Sequence, residues 1–212
     1  MISVVMAVGP RRKEQLYNTL HSIHALNVST EYEIICVLDR QKASDFHAFP
    51  NVSYHEFTRA REGWANPATV HNFGFTKASG KYLVIQNPEN LHLAENNLSR
   101  AIEHIEKDPL VSVFGACEAR KPDGSFDQWY CHSEHKQVPW YFFQAILKEH
   151  VDAIGGFTEK FTEYGGEDQV FAAQLEQRGV RFVWDDSILV AHQWHPGTGT
   201  GVGRCSGPAV QP

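Results

Sequence analysis

The alternation of strand and helix signals along the first half of the chain is the feature that most limits its fold. Short apolar, β-branched runs predict strands at residues 3–8, 33–38 and 82–85, and a further strand is predicted at residues 51–57. Apolar residues at helical spacing predict helices near residues 12–26, 68–78 and 98–105. Because such alternation buries a parallel sheet between layers of helices, we predict an α/β, Rossmann-like domain with a mostly parallel central sheet flanked by helices.

The second half of the chain has a different pattern. A further strand is predicted at residues 110–116, followed by a segment, residues 129–143, that is crowded with aromatic side chains. A helix at about residues 167–177 and two short strands at residues 180–184 and 188–190 complete the prediction. No linker divides the chain, so we expect one domain over residues 1–195 and a flexible Gly/Thr/Pro-rich tail at residues 196–212.

The charge balance limits the partners of the chain. Lys and Arg total 19 against 25 Asp and Glu, a formal net charge of −6, whereas a nucleic-acid binder needs a basic face. The N-terminal residues lack the basic start of a signal peptide, and no apolar run reaches the roughly 20 residues of a membrane span. The four cysteines form no Cys-x-x-Cys pair. We therefore expect a cytoplasmic protein with no nucleic-acid partner and no transmembrane segment.

Acidic residues follow two of the predicted strands. Asp39 comes directly after the second strand, and Glu89 lies in the loop after the fourth. Open parallel sheets bind ligands outside the carboxyl ends of their strands. The two carboxylates therefore predict a ligand site at this edge, although a simple turn residue at Asp39 is an equal alternative.

Two motifs in the second half carry chemistry. In Gly-Gly-Glu-Asp, at residues 165–168, the glycines permit a strained turn, and the acids open a helix whose dipole favours negative charge. The alternative is that Glu167 and Asp168 are ordinary first-turn acids. His192 and His195 are two imidazoles three residues apart after a strand, and they can converge on one divalent ion. The alternative is that one of them packs in the core beside Trp194.

Taken in chain order, these features resemble the GT-A fold of nucleotide-diphosphosugar glycosyltransferases. The resemblance covers residues 1–195, with residues 1–110 as the donor-binding half and 111–195 as the acceptor and catalytic half. The chain resembles glycosyltransferase family 2, and its second half is similar to the β-1,4-galactosyltransferases and polypeptide N-acetylgalactosaminyltransferases. The most specific parts are residues 155–168, which contain Gly-Gly-Phe-Thr-Glu-Lys-Phe and Gly-Gly-Glu-Asp, and the His-x-x-His at residues 192–195.

The resemblance implies roles for the motif residues. Asp168 would be the general base that deprotonates the acceptor hydroxyl, and Glu167 would orient the acceptor or the sugar. His192 and His195 are both candidate metal ligands, with His195 favoured if only one binds. Asp39 matches the family's acid that contacts the base or ribose of the nucleotide.

The chain departs from the family at the end of the fourth strand. Most members carry Asp-x-Asp there, whereas this chain has Asn-Pro-Glu at residues 87–89. Glu89 keeps a carboxylate for the metal, and Asn87 can still bind a ribose hydroxyl. Arg61 is a further candidate for the donor pocket. Trp140 and Tyr141 fit a sugar-stacking platform or core packing equally well.

The resemblance therefore implies an inverting glycosyltransferase with a hydroxyl acceptor. A UDP-sugar donor is expected on family frequency alone. Because imidazole is a borderline ligand, we expect Mn²⁺ rather than Mg²⁺ as the cofactor. Two alternatives stay open at this stage: a sugar-phosphate nucleotidyltransferase, and a nucleotide-sugar or carbohydrate-binding module that has lost turnover together with Asp-x-Asp.

Overall fold

The computed structural model describes residues 1–59, 66–161 and 165–196. The strands are β1 (Ile2–Val8), β2 (Tyr32–Asp39), β3 (Val52–Phe57), β4 (Tyr82–Gln86), β5 (Asn90–His92), β6 (Val111–Arg120), β7 (Phe126–Cys131), β8 (Phe143–Leu147) and β9 (Arg181–His192). The α-helices are α1 (Lys13–His24), α2 (Ala68–Lys77), α3 (Asn97–Lys107), α4 (Lys148–Ile154) and α5 (Glu167–Gln177).

The strands form one sheet in the order β3-β2-β1-β4-β8-β6-β9-β5, with β7 paired to β6 outside this path. The pairs within β3-β2-β1-β4 are all parallel, and β6 is parallel to β9. Strand β8 joins the two parallel blocks through antiparallel pairs with β4 and β6, and β5 is antiparallel to β9. The predicted α/β fold class is confirmed.

Alternation along the inner strands explains why helices cover both faces of the sheet. In β1 the side chains of Ile2, Val4 and Met6 join one apolar cluster, whereas Val5 joins the other. The first cluster is closed by α1 and α3, and the second by α2, α4 and α5. Successive side chains of a strand point to opposite faces, so a strand buried on both faces reads as a continuous apolar run.

Several elements, most of them in the second half, differ from the prediction. The sequence did not predict β5, β7, β8 or α4, and the two short strands predicted after α5 form the single strand β9. An irregularity in the β6–β9 pairing falls at Gly115, opposite Asp185. There Ser187 donates its backbone N–H and its hydroxyl to Asp185 Oδ1, at 3.0 and 2.6 Å. The polar residues interpreted as a break therefore form a bulge within one strand.

Within the described ranges, no helix has both the length and the apolar character needed to cross a membrane. Cys36, Cys117 and Cys131 are buried free thiols, as the absence of cysteine pairs in the sequence indicated for Cys36. Of the predicted tail at residues 196–212, only Pro196 belongs to the described residues.

Candidate functional site

The carboxyl ends of β1, β2 and β4 lie side by side at one edge of the sheet, because β1 pairs in parallel with both neighbours. This edge brings together Asp39, the loop that carries Glu89, and the turn after β1 that ends at Arg12. The topology therefore places the predicted donor-side residues at the position where parallel sheets bind their ligands.

Asp39 is 1% exposed, at the last position of β2. The guanidinium of Arg59 lies 2.8 Å from Asp39 Oδ2, and that of Arg40 lies 3.6 Å from the same oxygen. Although these are ion pairs, neither oxygen of Asp39 has a well-aligned hydrogen-bond donor in the described part of the chain. Buried acceptors are rarely left in that state, so Asp39 has capacity for a hydroxyl or N–H of a bound nucleotide.

Replacement of Asp39 by alanine is expected to weaken donor binding roughly tenfold or more, with a smaller effect on the maximal rate, because a hydrogen bond to a charged group is lost. Isothermal calorimetry with the nucleotide measures the effect. Asp45→Ala, at an exposed carboxylate in the neighbouring loop, is the matched control. An unchanged donor affinity in Asp39→Ala would leave Asp39 as a structural partner of Arg59.

Glu89 is 8% exposed, and an arginine partly neutralises its carboxylate. Arg12 Nε lies 2.5 Å from Glu89 Oε1, and both side chains are about nine-tenths buried, with 9% and 10% exposed. His195 Nε2 lies 3.7 Å from the same oxygen. Oε1 of Glu89 is thus the point at which an arginine and a histidine converge.

His192 is the last residue of β9, paired with Asn90 of β5, the residue after Glu89. Its ring packs edge-on against Tyr130 and Phe142, with centroid distances of 5.4 and 5.7 Å. Burial lowers the pKa of His192 to about 4 despite the attraction of the Glu89 carboxylate. The imidazole is therefore neutral at neutral pH, which is the state that a metal ligand requires. His195 lies nearby, with 5.3 Å between the two ring centroids.

These residues fit a divalent cation by the chemistry of their donors. They offer one carboxylate and two imidazoles, and the neutral ring of His192 has a lone pair to donate. No group of three or more His, Cys, Asp or Glu side chains is already arranged as a metal site in residues 1–59, 66–161 and 165–196. Because Arg12 holds Glu89, a cation must compete with the guanidinium for this carboxylate.

Glu167 opens α5 and is held on both oxygens. Asn66 Nδ2 donates to Oε2 at 2.6 Å, and the hydroxyl of Tyr141 donates to Oε1 at 2.8 Å. The side chain is 6% exposed. Asn66 is fixed in turn, because its Oδ1 accepts the backbone N–H of Ala68 at the start of α2. Glu167 is therefore rigidly oriented.

Asp168 follows Glu167 in the first turn of α5. Burial, with a smaller contribution from the Glu167 charge, raises the pKa of Asp168 to about 6. The preceding Gly165 and Gly166 both have left-handed backbones, with φ of 86° and 96°. A Cβ at Gly166 would lie 3.0 Å from the ring of Phe161, so the turn favours glycine for conformation and for space. A half-buried carboxylate whose pKa lies near neutrality is suited to act as a general base.

A continuous series of contacts runs from the nucleotide-side acid to the acidic helix. Arg59, which pairs with Asp39, also donates from Nη1 to the backbone oxygen of Asn66 at 3.4 Å. Asn66 binds Glu167, and Glu167 binds Tyr141.

The series continues to the histidines through the next residue of the chain. Phe142, adjacent to Tyr141, contacts the ring of His192, which contacts His195, which faces Glu89. Two sets of contacts, one from Asp39 to Tyr141 and one from Phe142 to Glu89, therefore meet at one dipeptide, and Asp168 follows Glu167 in α5.

Other predicted residues are placed less closely. Asn87 is half-buried after β4, where its backbone oxygen accepts the N–H of Asn90 at 3.2 Å. Arg61 lies outside the described residues. Lys136 lies over the ring of Trp140, with Nζ 4.4 Å from the centroid.

Sequence reasoning missed four residues that contact the predicted set: Arg12, Arg59, Asn66 and Gln193. Only Asn66 had a usable signal, because an asparagine two residues before the start of a helix commonly caps it. Tyr141 was predicted to serve either a sugar-stacking platform or core packing; its ring packs against Phe157 of the core, and its hydroxyl donates to Glu167. The remaining contacts depend on tertiary packing.

Comparison with known proteins identifies relatives of this arrangement. A family described as the N-terminal domain of galactosyltransferase matches residues 126–188. The "Uncharacterized glycosyltransferase YfnE" of Bacillus subtilis strain 168 is 24% identical over 250 residues, which cover 87% of this chain and 62% of that protein. The predicted resemblance of the second half to galactosyltransferases is confirmed over the matched residues.

Solved structures with similar folds include three complexes with a nucleotide or a nucleotide sugar. GalNAc-T7 with UDP, GalNAc and Mn²⁺ has a TM-score of 0.71 at 17% identity, covering 92% of this chain and 44% of that one. Staphylococcus aureus TarS 1–349 with UDP-GlcNAc has a TM-score of 0.70 at 12% identity, covering 92% of this chain and 59% of that one. The mannosyltransferase PcManGT from Pyrobaculum calidifontis, with GDP-Man and Mn²⁺, has a TM-score of 0.65 at 14% identity, covering 90% of this chain and 56% of that one.

The chain spans 62% or less of the length of each relative named above. The structural likeness nevertheless extends over nine-tenths of this chain or more. The predicted GT-A fold is therefore confirmed.

Proposed function

We propose that this chain, which has the GT-A fold, is a glycosyltransferase that moves a sugar from a nucleotide-diphosphate donor to an acceptor hydroxyl. One observation carries the proposal: residues far apart in sequence meet in two sets of contacts, which the adjacent residues Tyr141 and Phe142 join. The first set runs from Asp39 to Glu167, and the second runs from His192 to Glu89. The matched family and the relatives named above support the same reaction class.

The proposed reaction is one proton transfer to Asp168 on α5 and one displacement at the anomeric carbon of the donor sugar. Asp168 takes the proton of the acceptor hydroxyl, whose oxygen then bonds to the anomeric carbon as the bond from that carbon to the diphosphate breaks. The nucleoside diphosphate leaves with the bonding electrons. Attack from the face opposite the leaving group inverts the anomeric centre. The raised pKa of Asp168, about 6, gives a base that is ionised at neutral pH and still basic enough to accept a proton.

Glu167 is assigned the positioning of the acceptor or the sugar. Asn66 and Tyr141 already hold its two oxygens, so remaining lone pairs point in fixed directions. Pre-positioned groups of this kind lower the entropic cost of aligning reactants.

Glu89, His195 and His192 are proposed to hold a divalent cation, with Mn²⁺ favoured over Mg²⁺ by the imidazoles. When bound, the cation would neutralise the charge that develops on the departing diphosphate. Two of the similar structures contain Mn²⁺, which supports a divalent ion in this fold. Arg12, beside Glu89, adds a second positive charge to the same region.

The donor base is proposed to be uracil, although the similar structures include both UDP and GDP-Man. Asp39, whose oxygens have no well-aligned hydrogen-bond donor among the described residues, and Asn87 are the residues that we assign to the nucleoside. Arg61 stays a candidate from sequence.

The test is a panel of UDP- and GDP-sugars assayed for release of nucleoside diphosphate, with and without a mixture of sugar acceptors. Each donor is assayed with Mn²⁺, with Mg²⁺ and with EDTA, and Asp168→Asn is the control for turnover at the proposed site. We expect metal-stimulated release from at least one UDP-sugar, and loss of that release in the variant. If no nucleotide sugar is bound or turned over, the proposal is wrong.

Two other outcomes correspond to the rival functions. Tight binding of a nucleotide sugar with no turnover under any condition would identify a binding module. Formation of a nucleotide sugar from a nucleoside triphosphate and a sugar phosphate would identify a nucleotidyltransferase.

A further inference from the structure

Gln193 lies between the two histidines and is unusually well bound for a residue in a loop. Its backbone N–H donates to the backbone oxygen of Glu89 at 2.9 Å. Its side-chain Nε2 lies 3.1 Å from that same oxygen, 3.0 Å from the backbone oxygen of Gln15 and 3.2 Å from Thr19 Oγ1. Oε1 accepts a hydrogen bond from Asn18 at 2.9 Å. The residue is 9% exposed.

The partners fix the orientation of this amide. Two of them are backbone carbonyl oxygens, which only the NH₂ group can meet, and the amide of Asn18 faces Oε1. Gln15 and Thr19 are four residues apart on α1, so they present one face of that helix. The side chain of Gln193 therefore connects β9, α1 and the Glu89 loop at a single point.

We infer that Gln193 is a positioning residue that sets the histidine segment, residues 192–195, against Glu89; this inference rests on the proposed function. His192 directly precedes Gln193, and His195 follows it by two residues. Glu89 is held through its backbone by Gln193 and through its side chain by Arg12. The separation of 3.7 Å between His195 Nε2 and Glu89 Oε1 depends on this junction. Groups that orient metal ligands commonly affect metal affinity as strongly as some ligands do.

A positioning role and a merely structural role predict different measurements. A structural role predicts a lower melting temperature and no change in how metal affects nucleotide binding. A positioning role predicts that the gain in nucleotide affinity on adding Mn²⁺ falls, whereas the affinity in EDTA stays the same. The gain in nucleotide affinity on adding Mn²⁺ is therefore the quantity that distinguishes the two roles.

The experiment compares Gln193→Met, Gln193→Glu and wild type by calorimetry with UDP and with GDP, in Mn²⁺ and in EDTA. Gln193→Met keeps the length but loses the hydrogen bonds, and Gln193→Glu keeps the shape but presents an oxygen to the carbonyls. Mn²⁺ titration monitored by electron paramagnetic resonance gives a second readout. We expect both variants to reduce the Mn²⁺-dependent gain roughly tenfold or more.

Gln144→Met is the matched control. Gln144 is a buried glutamine, 1% exposed, whose Nε2 donates to Ser112 Oγ at 2.9 Å within the sheet. We expect this variant to lower the melting temperature and to keep the full gain. If Gln193→Met does not fold, Gln193→Glu and the milder Asn18→Ala, which removes one partner of the same amide, supply the comparison.

The outcomes separate this inference from the proposed function. If wild type shows no Mn²⁺-dependent gain with either nucleotide, the proposed metal site is wrong, and the role of Gln193 is wrong with it. If wild type shows the gain and folded Gln193 variants retain it in full, the metal site stands and only the positioning role is overturned.

Discussion

Asp168→Asn is expected to lower sugar transfer by roughly 10²-fold or more, with the fold and donor binding preserved. Asparagine has the same shape and cannot accept the proton of an acceptor hydroxyl. Its amide also keeps an oxygen for the N–H of Gln169, which Asp168 Oδ1 accepts at 2.8 Å. Stability is therefore expected to change little.

The measurement is the rate of transfer under single-turnover conditions, together with nucleotide affinity and a thermal melt of the same sample. Asp152→Asn, at an exposed carboxylate on α4, is a control for the loss of a surface charge outside α5. Transfer within a few-fold of wild type in Asp168→Asn would remove Asp168 from the role of base.

The pH dependence of wild type gives an independent check on the same residue. Burial raises the pKa of Asp168 to about 6, so the ionised, proton-accepting form predominates above that pH. Transfer should therefore fall as the pH is lowered through about 6 and should level off on the alkaline side. A flat profile between pH 5 and 8 would contradict the assignment, because a base with this pKa must titrate in that range.

The second large effect concerns the cation. His195→Ala is expected to abolish the gain in nucleotide affinity that Mn²⁺ provides, Glu89→Gln to weaken it, and His192→Ala to have an intermediate effect. His195 Nε2 already faces Glu89 Oε1 at 3.7 Å, so its loss removes the imidazole that lies beside the carboxylate. His192 is neutral because burial lowers its pKa to about 4, and it can donate without first losing a proton.

The pairing of Arg12 with Glu89 sharpens this expectation. In the free protein the carboxylate already has a positive partner at 2.5 Å, so a cation alone must displace the guanidinium. A bound diphosphate supplies oxygen ligands for the cation and an anionic partner for the released arginine. Mn²⁺ should therefore bind weakly to the protein alone and firmly only with nucleotide present.

The measurement is nucleotide affinity with Mn²⁺, with Mg²⁺ and with EDTA, for wild type and the three variants. His47→Ala, at an exposed histidine on the loop after β2, is the control for loss of a surface imidazole. If EDTA alters neither binding nor transfer, the metal site is wrong. The charge of the leaving diphosphate would then have to be met by cationic side chains, among which Arg12 lies nearest to Glu89 in the structure.

The donor half of the fold was predictable because its signals are strong and local. Of the first four strands, β1, β2 and β4 are short apolar runs, and each of the four predicted strands matches an observed one within about two residues. Helix α5 was predicted at its observed bounds because Gly-Gly precedes it and acids open it. Local sequence therefore determined these elements.

The second half was less predictable for a physical reason. Strand β8 is buried at every position and passes directly into α4, with Leu147 at the boundary and no capping side chain. No glycine, proline, serine, threonine, asparagine or aspartate marks the change, so the residues that usually signal a turn are missing there. In the donor half, strand β5 was also missed, because its three residues are too few for a periodic pattern.

The site shows the same division. The acids at strand ends and at the start of α5 could be named from sequence, because short stretches of sequence predict where those strands end and where that helix begins. Their partners could not: Arg12 and Glu89 are 77 residues apart, and Asn66 and Glu167 are 101 apart. Long-range partners of this kind depend on the order of the strands in the sheet, and no single segment of the sequence predicts that order.

Tyr141 and Phe142 have a consequence for engineering this protein. Tyr141 binds Glu167, and Phe142 packs on His192. This dipeptide therefore contacts both the proposed acceptor side and one of the proposed metal ligands. A library that varied this dipeptide to change acceptor preference would alter metal affinity in the same clones. Donor preference, which we assign to Asp39 on β2, lies on another strand and should be open to selection on its own.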